Sequence, residues 1–408
     1  TGSLFILYSN DTTTEVAISD DSGSTWRHSY TGLNCDFDSA GTTGGLIINS
    51  SNALHMACSN GSQVFSTFSS NYTTWSSAVI MTGKGNESDN MDFEIDANNS
   101  LIACLSQDNQ EIMIHNSSNS GVTWSNRTIF DSLAIDDDCD IEVDNTGRYH
   151  VVATDISIDD VAYVNTTNLN SWGNGIILES GTSYFEGISM TIDNNENIFF
   201  IQGQNGSTVN LTIFNSSNLG ASWSTTNITL DGTSTGINTA VIVSDENNYL
   251  HIFSESRTGT AGQDNITYIN STNNGLTWSP LTILHRQTNS VFTRVVVQGS
   301  KYPRFNNVSN AINYAYLNNT STDLTFQNKS IPIAAVLTKI NASVIHVLTN
   351  LQDRFANRIR INQVSLTAIG SNSRILGLSR QNTVSTIGSN LINRMQSLFR
   401  QLQQSMTI

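Results

Sequence analysis

Ser117–Trp124 reads SSNSGVTW, and this stretch decides the fold because the chain repeats it. Ser19–Trp26 reads SDDSGSTW, Ser216–Trp223 reads SSNLGASW, and Ser271–Trp278 reads STNNGLTW. Two copies are one residue shorter, Ser69–Trp75 (SSNYTTW) and Thr166–Trp172 (TTNLNSW). A seventh, Thr320–Phe326 (TSTDLTF), has Phe326 at the Trp position. Trp26, Trp75, Trp124, Trp172, Trp223 and Trp278 are spaced by 49, 49, 48, 51 and 55 residues, and Phe326 follows after 48 more. Every Trp in the chain therefore closes a copy. A fixed period near fifty residues marks a repeat architecture, in which each unit buries its apolar faces against its neighbours.

The residue types explain the turn. The carboxylate or amide of Asp21, Asn119, Asn218 or Asn273 can accept hydrogen bonds from nearby backbone N–H groups. Ser19 opens the first copy, and Gly23, Gly121, Gly220 and Gly275 supply the positive φ that a tight reversal needs. The aromatic ring then packs beneath the hairpin. This pattern resembles the Asp-box, or bacterial neuraminidase repeat, S-x-D-x-G-x-T-W, found in sialidase-like β-propellers. The resemblance implies a structural turn between the third and fourth strands of a blade, away from the active face.

The remainder of each repeat aligns as well. Asp140–Asp144, Arg148–Asp155, Val161–Asn165 and Gly175–Ser180 read as four short strands, A to D, which is the usual content of a propeller blade. Thr1–Ser9 matches Thr146–Thr154, so the first blade begins at its A–B turn and lacks strand A. Ile340–Asn350 aligns with Ile237–Asn247, the A strand of the sixth repeat. Residues 341–349 are therefore expected to complete the first blade, leaving no open edge. Donation of that strand by a neighbouring copy is the alternative. The expected fold is all-β: a seven-bladed propeller of four-stranded blades over 1–350, with six blades as the alternative. Residues 351–408 form a small mixed strand and helix tail. Within it, Leu391, Met395, Leu398 and Leu402 share a helical face.

Charge divides along the same boundary. Through Thr338 there are 10 basic and 33 acidic residues, a net of −23; from Lys339 there are 8 and 1, a net of +7. A basic end on an acidic body suits docking onto the body, a second copy or an anionic partner. The tail's Arg residues are scarcely interleaved with aromatics, which speaks against nucleic acid as the partner. No run of 18 apolar residues occurs, so no membrane-spanning helix is expected. Cys35, Cys58, Cys104 and Cys139 lack zinc spacing and are disulfide candidates, with buried thiols as the alternative. Twenty N-x-Ser/Thr sequons occur and none follows Asn341, although seven more Asn do. Glycosylation candidates are Asn10, Asn60, Asn71, Asn86, Asn116, Asn126, Asn165, Asn205, Asn210, Asn227, Asn265, Asn307 and Asn328.

Three functional readings follow. The sialidase resemblance implies an Arg triad clamping a substrate carboxylate, a Tyr–Glu nucleophile and an Asp acid/base. Matching positions here are Arg257, Arg286 and Arg294, Tyr184 with Glu186, and Asp92 or Asp138, on the face of the D–A and B–C loops. However, no Phe/Tyr-Arg-Ile-Pro segment precedes the first box, where that family places its first Arg. The second reading is a Ca²⁺ site at Asp136, Asp138 and Asp140, whose closely spaced carboxylates suit a hard cation; a solvated acidic loop is the plainer alternative. Asp92, Glu94, Asp140 and Glu142 alternate along A strands and are candidates to line a central channel. The third reading is a non-catalytic extracellular or virion-surface glycoprotein head. It would bind a glycan or cell-surface ligand, need no cofactor, and assemble with itself through residues 351–408. The third reading is preferred, with a sialidase-like glycosidase as its alternative, because a fold alone does not fix an activity.

Overall fold

A computed structural model describes residues 3–9, 13–21, 25–35, 44–60, 63–82, 91–107, 111–130, 138–155, 160–180, 184–205, 210–229, 234–245, 247–258, 264–286, 292–297, 311–318, 323–330 and 360–361. Every regular element among them is a β-strand, assembled into small antiparallel sheets that follow one another along the chain. Sheet 1 comprises Leu4–Ser9, Thr14–Ser19 and Arg27–Tyr30. Sheet 2 comprises Gly44–Ile48, Leu54–Ser59, Val64–Ser69 and Val79–Thr82. Sheet 3 comprises Met91–Ile95, Leu101–Gln107, Glu111–Ser117 and Ser125–Ile129. Sheet 4 comprises Cys139–Val143, Tyr149–Asp155, Asp160–Thr166 and Ile176–Ser180. Sheet 5 comprises Tyr184–Ile192, Ile198–Asn205, Asn210–Ser216 and Ser224–Thr229. Sheet 6 comprises Ser234–Ser244, Leu250–Thr258, Asp264–Ser271 and Thr282–Arg286. In sheets 2 to 6 the strands pair in chain order, A to D, as the repeat implied.

The first and last sheets depart from that pattern. Sheet 1 has three strands and begins at strand B, as its match to Thr146–Thr154 indicated. Residues 341–349, expected to complete it, lie outside the described residues. The last sheet pairs Phe292–Val297, Ala311–Asn318 and Asp323–Ser330, then takes the two-residue strand Arg360–Ile361 in parallel. Its hairpin pairs Asn318 with Asp323 and Ala315 with Phe326. Phe326 is therefore inside a strand, and TSTDLTF does not end a box turn as the sequence suggested. The physical reason is local: this copy has neither the third-position Asp or Asn nor the Gly that would hold a longer reversal open. Among the described residues six sheets are four-stranded, the alternative count rather than the expected seven. Apart from Arg360–Ile361, the tail and its expected helix lie outside the described residues.

The core lies between sheets rather than within any one of them. Strand residues alternate between the two faces of their sheet, so each sheet is apolar on both sides. Val151 and Ala153 pack with Ile102, Cys104 and Ile114 of sheet 3, whereas Val152 packs with Ile188, Met190 and Phe200 of sheet 5. Five such buried clusters join sheets 1 and 2, 2 and 3, 3 and 4, 4 and 5, and 5 and 6. The A strands of sheets 2 to 6 and of the last sheet lie against one another in succession, and the D strands form the outer edges.

Candidate functional site

The Trp-terminated turns, where described, make the bonds their residue types imply. Asn119 Oδ1 accepts the Thr123 N–H at 2.9 Å, its Nδ2 donates to Thr123 Oγ1 at 2.8 Å, and Ser117 Oγ accepts the Gly121 N–H at 2.9 Å. Asn218 and Asn273 repeat these contacts. Asp21 takes both the Thr25 N–H and the Thr25 hydroxyl. The ring does more than cover its own hairpin. Trp75 Nε1 donates to Ser29 of sheet 1 at 2.9 Å, and Trp124 Nε1 donates to Ser66 of sheet 2 at 2.8 Å. Trp223 stacks edge-on against Tyr163 of sheet 4, with ring centroids 4.8 Å apart. The turns are thus joints between consecutive sheets.

A second ring of joints lies at the A–B turns, and the sequence reading passed over it. Asn49, Asp96, Asp144, Asp193 and Asp245 each accept two backbone N–H groups, from the residues two and four positions on. Three positions beyond each of them the backbone is left-handed, at Asn52, Asn99, Gly147, Glu196 and Asn248. Three of those residues reach the preceding sheet: Asn99 Oδ1 accepts the Ser50 N–H, Glu196 Oε1 accepts from Asn145, and Asn248 Oδ1 accepts the Asn194 N–H. The signal was available as an Asp or Asn recurring every 47 to 52 residues.

The carboxylates expected along a channel are used in the same way. Asp92 Oδ2 accepts the Ile141 N–H of the next A strand at 3.1 Å, and Asp140 Oδ2 accepts the Met190 N–H at 3.0 Å. Ser189 continues the series towards Ile242 at 3.3 Å. Glu142 is fully buried and Glu94 half-buried. Side-chain acceptors on successive A strands therefore link the sheets around their inner ends.

Two Asp–His–Tyr clusters were also missed. His150 Nε2 lies 3.2 Å from Asp144 Oδ2, and its Nδ1 lies 2.7 Å from the Tyr163 hydroxyl. His251 stands likewise between Asp245 and Tyr268. Burial opposes ionisation of Asp144, but hydrogen bonds from His150, the Arg148 N–H and Thr146 outweigh it and hold the carboxyl down to about 2. Burial raises the hydroxyl pKa of both Tyr163 and Tyr268. Asp–His pairs invite a catalytic reading, yet His150 and Asp144 expose no side-chain surface. A general base must reach substrate, so these clusters are structural.

The cysteine alternatives are resolved in favour of disulfides: Cys35 pairs with Cys58, and Cys104 with Cys139. The Cys104–Cys139 bridge ties sheet 3 to sheet 4, and the Cys35–Cys58 bridge ties the segment after sheet 1 to sheet 2.

Tyr184 and Glu186 open the A strand of sheet 5, Arg257 lies near the end of the B strand of sheet 6, Arg286 ends its D strand, and Arg294 enters the last sheet's A strand. All five positions are at the same end of their strands; their side chains lie outside the described residues. Asp92 is committed to Ile141. Asp136 lies outside the described residues, and the Asp138 carbonyl accepts the Thr154 N–H. Among the described residues no group of three His, Cys, Asp or Glu side chains could hold a metal ion. A cleft of about 210 Å³ between sheets 2 and 3, lined by Ser66, Phe68, Ser76, Leu101 and Val122, has no charged side chain in its wall. It is smaller than the range of about 300–1,000 Å³ typical of small-molecule sites.

No family model and no curated protein matches this chain. Solved structures do. A lectin from Burkholderia pseudomallei superposes with a TM-score of 0.55 at 9% identity, over 83% of this chain and 94% of the lectin. An ulvan lyase, described as a new family of polysaccharide lyase and bound to a GlcA(1-4)Rha3S saccharide, gives 0.54 at 10%, over 75% and 85%. The fold is a β-propeller. Its four-stranded sheets are blades, with A strands at the axis and the Trp-terminated and A–B turns on one face. The D–A and B–C connections share the opposite face. No helix among the described residues is long and apolar enough to cross a membrane.

Proposed function

We propose that the chain is an extracellular glycan-binding head that assembles with itself and does no chemistry on its ligand. One observation carries this reading. Among the described residues, carboxylates and aromatic rings of the blade bodies are used to join blade to blade, through Asp92, Asp140, the Tyr163–Trp223 ring contact and the Trp75 and Trp124 indoles. A body so constructed is a passive scaffold, and recognition falls to loops on the face opposite the box turns. Two disulfides suit an oxidising compartment. The resemblance to a lectin and a polysaccharide lyase supports saccharides as the ligand class. In this proposal the basic tail 351–408 supplies the self-association surface. A Ca²⁺ ion at Asp136–Asp140 would have to compete with the Met190 N–H for Asp140.

A sialidase-like glycosidase is the second reading, favoured by one placement: Tyr184, Glu186, Arg257, Arg286 and Arg294 all stand at the same end of their strands. The test applies the purified full chain to a saccharide array while following product release from the same saccharides, including a fluorogenic sialoside. The binding proposal expects retention without release, and light scattering above the monomer mass that falls in Leu391→Asp/Leu398→Asp. Sialoside turnover abolished by Arg294→Ala would replace it with the second reading.

A further inference from the structure

Seven of the twenty sequons fall on described side chains whose surroundings separate those that can carry a sugar from those that cannot. Asn265 is only 3% exposed, and Thr267 of the same sequon is 1% exposed with its hydroxyl 2.6 Å from Ser254 Oγ. Asn49 is buried, with its amide nitrogen 3.1 Å from His55 Nε2. Asn165 directs its amide nitrogen to the Tyr163 hydroxyl at 2.9 Å and to the Leu219 carbonyl at 3.4 Å, which occupies both amide protons. A sugar on any of these three would displace the packing that joins adjacent blades.

The outer rims of the third and fifth blades present the opposite geometry. Asn126 and Asn227 are exposed on the D strands Ser125–Ile129 and Ser224–Thr229. Beside them, near the ends of the C strands, stand Asn116 and Asn215, paired in register with Ser125 and Ser224. Asn116 Oδ1 accepts from Ser125 Oγ at 2.8 Å, and Asn215 Oδ1 accepts from Ser224 Oγ at 2.7 Å. Holding the amide by its oxygen leaves Nδ2 unengaged by any described residue. Both sites also keep their hydroxyl residues, Ser118 and Ser217, exposed. These D strands are sheet edges, which offer unpaired N–H and C=O groups to other chains and are commonly blunted in natural proteins. The fourth blade, between them, has no sequon on its D strand and exposes Ile176 and Ile177 there.

We infer that N-linked glycans occupy Asn116, Asn126, Asn215 and Asn227 and cap the outer edges of the third and fifth blades, while Asn49, Asn165 and Asn265 stay unmodified. In the transfer, the asparagine Nδ2 attacks the anomeric carbon of a polyprenyl-phosphate- or diphosphate-linked oligosaccharide supplied by the producing cell. A nitrogen–carbon bond forms and the carbon–oxygen bond to phosphate breaks. The polyprenyl carrier leaves with the electron pair, and the amide gives up one proton. The inference rests on the extracellular reading, and its test separates the two.

The full chain from its natural producer is digested, and occupancy is read at each sequon by mass spectrometry. Glycans on the four rim sites and none on the three interior sites are expected. Glycan on Asn165 or Asn265 of folded protein overturns the sorting, as does occupancy elsewhere with none on the four; either result leaves the extracellular reading standing. A chain without any glycan sinks both. Asn126→Gln/Asn227→Gln should raise the aggregated fraction in size-exclusion chromatography, and an unchanged fraction removes the capping role.

Discussion

Removing the Cys104–Cys139 bridge measures how far the propeller depends on joints between its blades. Cys104 is in the B strand of the third blade and Cys139 opens the A strand of the fourth, 35 residues later. Closing a loop of that length in the unfolded chain stabilises the fold by about 3.8 kcal/mol. Cys104→Ala/Cys139→Ala should lose roughly that amount. The bridge spans the same gap as the Asp92–Ile141 bond, because Asp92 pairs in register with Cys104. The drop in Tm depends on how much of the chain unfolds together, at about 2.1 cal/mol/K of entropy per residue. If all blades melt as one unit of ~330 residues, the drop is about 5 °C. If the two joined blades melt alone, as ~95 residues, it approaches ~20 °C. Differential scanning calorimetry of the oxidised wild type, the reduced wild type and the double variant separates these cases. A shift below ~1 °C in both the reduced and variant proteins would refute the assignment of this bridge as a stabilising joint.

Acid should loosen the second and third blades. Burial pushes His55 and His115 down to about 4, in the case of His115 against an opposing effect of the Met81 backbone. Both are neutral in the fold and protonate first in the unfolded chain. Their contribution is therefore complete above about pH 6.5 and declines as pH falls towards 4, by about 2 kcal/mol each at pH 5. His115→Gln should flatten the fall of urea midpoints between pH 7 and 5; an unchanged slope counts against it. The two glycine variants Gly220→Ala and Gly147→Ala should differ in cost. Both sites have φ near +81°, but a Cβ on Gly220 would lie 2.1 Å from the Tyr163 hydroxyl whereas one on Gly147 meets nothing within 4 Å. Gly147→Ala should cost about 1 kcal/mol in chemical denaturation and Gly220→Ala at least ~3 kcal/mol; equal costs would show that the joint gives way.

The repeat was legible because it is a local pattern. Ser, Asp or Asn, Gly and Trp at fixed offsets report a turn whose bonds close within eight residues, and Asn119, Asn218 and Asn273 make the bonds their spacing implied. The seventh copy misled because Phe326 preserves the spacing without the residues that hold the turn, so its hairpin pairs through. Asp92 and Asp140 were read as channel or site carboxylates because alternation shows which face of a strand a residue occupies. It does not show that a backbone N–H of the next blade stands 3 Å away. The Asp–His–Tyr clusters escaped notice because their members are joined by cross-strand and turn geometry rather than by a spacing that recurs in every blade.

The sequence by itself determined the period of the turns, the strand content of most repeats and the charge contrast between residues 1–338 and 339–408, since these depend on residues close together in the chain. Only the tertiary structure decided which Cys pair, which carboxylates are held by a neighbouring blade and which Asn amides remain free. Those outcomes depend on tertiary contacts, 23 and 35 positions apart for the disulfides and about fifty for the carboxylates, which form only once the sheets have folded and packed against one another.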